Sequence, residues 1–311
     1  MKKLLTMIVS LALMVLCVPG LTACNNVEKN ITVVAREQGS GTREAFDKVV
    51  TDGNGNFLEM SVDGKKVYRT TSNADIQKET GNVMSKVASD VNSIGYISLG
   101  SVNETVKVVK VNGITPSAET VLDGSYAIQR PFVVMTSSVT TLNPITADFL
   151  LYLKSGASEQ HANDAGCIYL ADPAKRANAG EAAIPVEEFE AKAELPVGGK
   201  ITINGSTSME KFIKKAMSGY AALYGKTADE LFTLDLQGSG MGKSAAKGDK
   251  NGNVIGLSSA SVKEEGINSF NVCLDAVAVI VNTGASINDL TLKQLYDIFS
   301  GNVTKFSEIV G

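Results

Sequence analysis

The sequence predicts an α/β protein built of two lobes, and three observations carry that prediction. Short apolar runs alternate with segments of helical periodicity along the chain, the pattern of layered strands and helices. The 311 residues match two domains at roughly 150 residues each. A strand, a Gly/Ser/Thr turn and a helix open one series near residue 31 and another near residue 201, on either side of an Ala-, Glu-, Pro- and Gly-rich stretch at about 172–200. With 44% hydrophobic and 20% charged residues, the composition supplies a core and argues against a disordered or fibrous chain.

The first segment is an address. Lys2 and Lys3 precede an apolar run from Leu4 to Val18, as in a secretory leader, and the run is too short for a membrane span of about 20 residues. It ends in Leu21-Thr22-Ala23-Cys24. These four residues resemble a bacterial lipobox, in which cleavage before the cysteine leaves its thiol to carry diacylglycerol. Residues 1–23 are therefore read as a lipoprotein signal peptide, Cys24 as the lipidated mature N-terminus and 24–30 as a tether. An ordinary cleavage site followed by an incidental cysteine is the alternative.

Ile31–Ala35 reads as a buried strand entering Gly39-Ser40-Gly41 and a helix from about Thr42 to Val50. A helix over 83–91 and strands over 94–99 and 106–111 follow. Pro144 then opens a helix from Ile145 to Lys154 with Phe149, Leu150 and Leu153 on one face. The stretch 172–200 reads as a solvated linker with at most one short helix. Beyond it, a strand over 201–204 leads through Gly205-Ser206-Thr207-Ser208 to a helix with apolar residues at Met209, Ile213, Met217, Tyr220 and Tyr224. Thr207 and Glu210 have capping-box spacing, as do Thr291 and Gln294 before a helix over 292–299. Strands over 232–236, 254–257 and 276–281 complete the series.

The formal charge of −4 becomes two units more negative without Lys2 and Lys3, which disfavours a nucleic-acid partner. The single histidine, His161, sits in polar surroundings and reads as a surface residue. It cannot supply a histidine pair for a metal, and the sequence offers neither a Cys-His or Ser-His partner for it nor a Gly-x-Ser-x-Gly elbow. No enzyme activity, metal or cofactor is expected. No CxxC occurs. Cys167 and Cys273 lie in apolar settings; a disulfide suits an extracytoplasmic address, and two buried thiols suit the settings better. Gln237–Ser244 misses a P-loop because position 237 is not glycine, and 52–56 and 249–253 miss calcium loops for want of glycine at the sixth position.

Three turns then remain: Arg36–Thr42, Gly205–Ser208 and Gln237–Gly242. A helix N-terminus exposes unpaired N–H groups and the positive end of its dipole, glycine admits close approach and hydroxyls add donors. Such turns bind oxyanions. Capping explains one of them alone, but three in one chain, with Arg36 able to offer a bidentate guanidinium, point to an anion.

These segments resemble the phosphate-binding proteins of bacterial phosphate ABC importers (PstS type). The resemblance is carried by Val33–Arg43, Ile94–Gly100, Asp123–Pro131, Gly205–Ser208, Ala278–Asn282, Leu290–Leu295 and Ile298–Gly301. It implies the two-lobed type II periplasmic-binding-protein fold, with inorganic phosphate held between lobes by hydrogen bonds and no metal or covalent step. It also implies a monomer that serves the permease and ATPase subunits of an ABC importer at the outer face of the cytoplasmic membrane. Matched position by position, Arg36, Ser40, Gly41 and Thr42 become binding residues of one lobe, and Thr207 and Ser208 of the other. The family's second-turn serine falls at Met241, which leaves Ser239 as a displaced substitute. Its acceptor aspartate falls at Val254, with Ser258 or Ser259 as further hydroxyls. A carboxylate accepts a proton from hydrogen phosphate and repels fully ionised sulfate, so Val254 keeps sulfate, another oxyanion or a small organic anion open. A hydrolase with a Ser or Thr nucleophile and a sensor or adhesion protein on the same fold are the further alternatives.

The order of the motifs departs from the family. Members begin with the Gly-Ser-Thr-Ser element and reach Gly-Ser-Gly-Thr-Arg in mid-chain, whereas here the second comes first. The resemblance thus implies a circular permutation in which joining Gly311 to Ile31 would restore the usual order. One lobe would comprise 30–100 plus 275–311 and the other 101–274, including the linker. A split or truncated chain is the rival explanation, and permutation requires Ile31 and Ile309 to be neighbours in space.

Overall fold

The computed structural model describes residues 29–169 and 188–309. The leader 1–23, Cys24, most of the tether and the first part of the 172–200 stretch lie outside the described residues. In chain order the first half forms β1 (Thr32–Arg36), α1 (Gly41–Asp47), β2 (Glu59–Val62), β3 (Lys65–Tyr68), β4 (Asp75–Gln77), α2 (Thr80–Ser89), β5 (Ser93–Ser98), β6 (Val106–Val111), α3 (Ala118–Leu122), β7 (Gln129–Ser137), α4 (Pro144–Lys154), α5 (Glu159–Asp164) and β8 (Ile168–Tyr169). The second half forms β9 (Ile201–Gly205), α6 (Glu210–Leu223), α7 (Ala228–Leu231), β10 (Phe232–Asp235), α8 (Ser239–Gly248), β11 (Val254–Ser258), β12 (Ile267–Asn282), β13 (Asp289–Leu290) and α9 (Leu292–Ser300).

Among the described residues the main sheet has the strand order β10-β9-β11-β7-β12-β5-β1-β4, with β6 and β8 also paired to β12. β12 holds the two halves together. Its 16 residues span about 50 Å at roughly 3.3 Å each. Ile267–Ala276 pairs with β7 and Val277–Asn282 with β5 and β6. Two cores form on either side of this crossing. Val33, Phe46, Ile94, Tyr96, Val279 and Phe299 belong to one, and Phe149, Ile203, Phe212, Tyr220, Phe232 and Leu257 to the other. Val109, Val121, Tyr126 and Ile128 pack in the first core, so that stretch sits with the first body although 101–274 as a unit would place it in the second.

At the crossing, Arg130 donates to Asp275 Oδ2 from Nε at 3.0 Å and from Nη2 at 2.8 Å, and Ser98 Oγ donates to Asp275 Oδ1 at 2.9 Å. All three side chains are buried. Burial pushes the Asp275 carboxyl up from its ordinary value, opposed chiefly by Arg130.

Local sequence explains most boundaries. Apolar spacing buries Phe212, Ile213, Ala216, Met217 and Tyr220 on one face of α6. α9 carries the Thr291/Gln294 capping box and ends at Gly301 with φ 84°. The other expected box is replaced: a 3₁₀ turn over Thr207–Met209 precedes α6, and it is Ser206 that caps, accepting from Ser208 N. The described part of the linker is docked and forms no helix. Phe189 lies edge-on to Tyr152 at 5.2 Å, and Lys192 Nζ sits 3.0 Å from Asp148 Oδ1.

His161 is also half-buried rather than on the surface, bonded through Nε2 to Tyr152 Oη at 2.7 Å. Burial holds its pKa below the usual value. Cys167 and Cys273 are buried free thiols. Asp52 and Asp249 spend their carboxylates on N–H groups of their own turns.

The described ends of the chain meet. Ile31 N donates to Thr304 O at 2.7 Å, and Ile31 and Ile309 pack on the same core.

Candidate functional site

Three segments from the two bodies converge between the cores. β1 delivers Arg36 at its C-terminal end, and the following turn opens α1 with Ser40 as N-cap, its Oγ accepting from Arg43 N. From the second body, β9 leads to Ser206–Ser208, and the turn after β10 leads to Ser239 at the start of α8. Strand ends that run into helix starts are where loops carry binding groups on a rigid frame.

The side chains meet as a buried group of hydroxyls around one guanidinium. Thr42 Oγ1 lies 2.9 Å from Ser208 Oγ. Thr80 Oγ1 lies 3.2 Å from Thr207 Oγ1 and 3.5 Å from Ser208 Oγ. Ser206 Oγ donates to Ser259 Oγ at 2.9 Å, and Ser239 Oγ lies 3.3 Å from the same atom. Arg36, only 2% exposed, donates from Nη1 to Thr80 Oγ1 at 3.4 Å. Its other edge is occupied: Glu37 accepts from Nε at 3.0 Å and from Nη2 at 3.1 Å, with the carbonyls of Gln77 and Lys78 completing the set. The guanidinium is thus fixed on one edge and presents the other to the hydroxyls.

Gly41 lets the bodies approach. A Cβ there would stand 2.6 Å from the Ser259 carbonyl carbon and Oγ, and 2.8 Å from Ser239 Oγ, distances that real side chains do not adopt. Hydroxyls donate and accept, so this group can wrap an oxyanion with donors while one positive charge faces it.

The structure brings Arg36, Ser40, Gly41, Thr42, Thr207, Ser208 and Ser239 into this one region. Sequence reasoning missed Thr80 and Ser206. Thr80 opens α2 after the extended run 75–77, a helix start with no Gly-Ser signature that lies three residues ahead of the helix expected over 83–91.

A PBP superfamily domain matches residues 190–311. Phosphate-binding protein PstS 2 of Streptococcus pneumoniae serotype 4 is 32% identical over 99% of this chain and 99% of its own. The chain belongs to the PstS family. A second relative, Phosphate-binding protein PstS 2 of Streptococcus agalactiae serotype V, is 30% identical over 93% of this chain and 92% of its own. A crystal structure of a phosphate ABC transporter, phosphate-binding protein from Streptococcus pneumoniae TIGR4 has a TM-score of 0.64 at 30% identity and covers 90% of this chain and 100% of that one. The end-to-end match means that this PstS relative shares the order of segments found here.

Two departures from the PstS pattern change meaning in the fold. Met241 is 44% exposed while Ser239 is 3% exposed and bonded to Ser259, so it is the serine of this turn that joins the buried hydroxyls. Val254 opens β11 beside Thr202, with its N–H on Asp249 Oδ2 at 3.1 Å. The hydroxyl group is met at the other end of that strand, at Ser259. Val254 is thus set apart from the hydroxyl group by the length of β11. The carboxylate in contact with the site's guanidinium is Glu37.

Proposed function

We propose that this protein captures inorganic phosphate between its two bodies, outside the cytoplasmic membrane, and passes it to the permease and ATPase subunits of an ABC importer. The observation that carries the reading is the convergence of Arg36 Nη1 with the buried hydroxyls of Thr42, Thr80, Thr207 and Ser208, drawn from both bodies. A ligand gripped by both bodies favours their closed arrangement. Because Glu37 balances Arg36, affinity rests on directed hydrogen bonds more than on net charge.

The protein binds its solute and does no chemistry on it, as its PstS relatives are binding proteins. The leader and the lipobox-like Leu21–Cys24 support tethering by a lipid on Cys24, and the monomeric state is carried over from the resemblance.

Calorimetric titration of the mature domain with phosphate and with sulfate, after unfolding and refolding to strip carried-over ligand, tests this. Saturable phosphate binding is expected, weakened at least about tenfold by Arg36→Ala through loss of a charged hydrogen-bond donor. Absence of phosphate binding, or an Arg36→Ala variant that binds like wild type, would overturn it.

A further inference from the structure

Behind the turn that carries Arg36 and Ser40–Thr42 lies a buried ion pair that the binding reading leaves unused. Asp47, the last residue of α1, is fully buried and accepts from Arg43 Nε at 2.9 Å. Arg43, also buried, donates from Nη1 to the main-chain carbonyl of Arg36 at 2.9 Å. The Arg36 N–H in turn donates to Tyr96 Oη at 3.2 Å, and the Tyr96 ring stacks on Phe46 of α1 at 4.1 Å. Both main-chain polar groups of Arg36 are therefore held, one by Tyr96 and the other by a guanidinium that Asp47 orients.

We propose that Asp47 is a positioning residue for the anion site, acting through Arg43 on the main chain of Arg36. This rests on the phosphate reading. The bridge ties the end of β1 to the helix that bears Ser40–Thr42, so the direction in which the Arg36 side chain leaves the strand is fixed relative to the hydroxyls. Losing the carboxylate frees Arg43 to turn away from the Arg36 carbonyl, for instance further onto the face of Tyr68, whose ring centre it already approaches at 5.8 Å.

The charged and polar groups facing Asp47 are Arg43 on its own helix, Glu59 from β2, Thr70 after β3 and Tyr96 from β5. Glu59 is itself taken up by Lys66 at 2.9 Å. Burial pushes the Asp47 carboxyl up to about 6, against the pull of Arg43. Protonation in that range neutralises the brace. Its effect on stability runs the other way: a carboxyl whose folded pKa lies above the ordinary 3.8 binds protons better folded than unfolded, so stability rises as the pH falls through about 6. Acid thus strengthens the fold through this group while loosening the site, and a purely structural role would move both together.

The test measures phosphate affinity for wild type, Asp47→Asn, Arg43→Gln and the double variant between about pH 5 and pH 8, a window centred on the ordinary range of a raised carboxyl. Ratios to wild type cancel the protonation of phosphate itself. At the alkaline end each single variant is expected to bind about tenfold more weakly, the scale of one hydrogen bond to a charged group. The ratio shrinks toward one at the acid end, where wild type has lost the brace too, and the double variant loses no more than either single one. A ratio that stays flat with pH, additive losses, or no loss in the folded variants overturns the proposal. If Asp47→Asn does not fold, Arg43→Gln reads the same bridge from its other end. Amide exchange over residues 36–42 is followed without ligand and is expected to quicken in each single variant. Wild type failing to bind phosphate would sink the functional reading alone, and unchanged exchange would then sink the brace.

Discussion

Gly41 is a point of close approach between the two bodies at the site itself, and its replacement is the sharpest local test of the site. The atoms that an alanine Cβ would meet include a backbone carbon of Ser259 at 2.6 Å, which cannot swing aside. Gly41→Ala is expected to hold the bodies apart, break the 2.9 Å contact of Thr42 with Ser208 and weaken phosphate binding by about 1.4 kcal/mol or more, the loss of at least one hydrogen bond to a charged ligand. Each core keeps its contacts, so the melting temperature should move by only a few degrees. Calorimetry beside a thermal melt checks both, and wild-type affinity in this variant would mean that closure to this separation is not needed. The turns that hold Arg36, Ser40, Gly41, Thr42, Thr207 and Ser208 were legible because Gly, Ser and Thr cluster within a few residues of a strand end, and the resemblance singled out these six within them. Thr80 was not, since it reaches Arg36 only because β4 pairs with β1. Val254 misled for a related reason. It opens β11 while Ser259 follows the strand's other end, and only that second end meets the turn at Ser239.

Helices were easier to read than strands, and β7 and β12 show why. The spacing of Ile213, Met217 and Tyr220 marks α6 at once, because a one-sided helix must repeat its apolar residues every three or four positions. Only Ala276–Val281 of β12 read as a strand, because its first half carries Asn268, Ser269 and Asn271 where the strand is more exposed. β7 was hidden by Pro131, which pairs with Leu274 despite having no N–H to give the ladder. The two strands are clamped where they cross by Arg130 and Asp275, side chains 2% and 0% exposed. Arg130 Nη1 already lacks a partner, so removing the carboxylate leaves a buried guanidinium with almost nothing to compensate it. Asp275→Asn is expected to destabilise the protein by about 3–5 kcal/mol, as for other broken buried pairs. Urea unfolding measures this, and a loss below about 1 kcal/mol, the scale of an exposed pair, would show that water reaches the crossing.

The arrangement of the two bodies tests the inferred permutation directly. Two α/β series predicted two bodies, and the described residues form two large cores. The division between them could not be read, because 106–128 joins the first core through β6 on β12 and α3 beneath it, a pairing between segments far apart in the chain. What the permutation needs is that the ends be interchangeable with an interior break. Ile31 N bonds Thr304 O at 2.7 Å, and Ile309 packs on the same core as Ile31, so a short flexible connection from 309 to 31 would span a gap that the fold already closes. The new break belongs at Gly199–Lys200, where both residues are exposed and the next residue starts β9. Such a chain would begin with β9 and the Ser206–Ser208 turn, the order the resemblance treats as usual. Loop closure changes only slowly with loop length, so the relinked protein is expected to melt within a few degrees of the parent and to bind phosphate within about threefold. Failure to fold would mean that the docking of Phe189 and Lys192 beside the break depends on continuity into β9, and that the present order is required by more than the proximity of its ends.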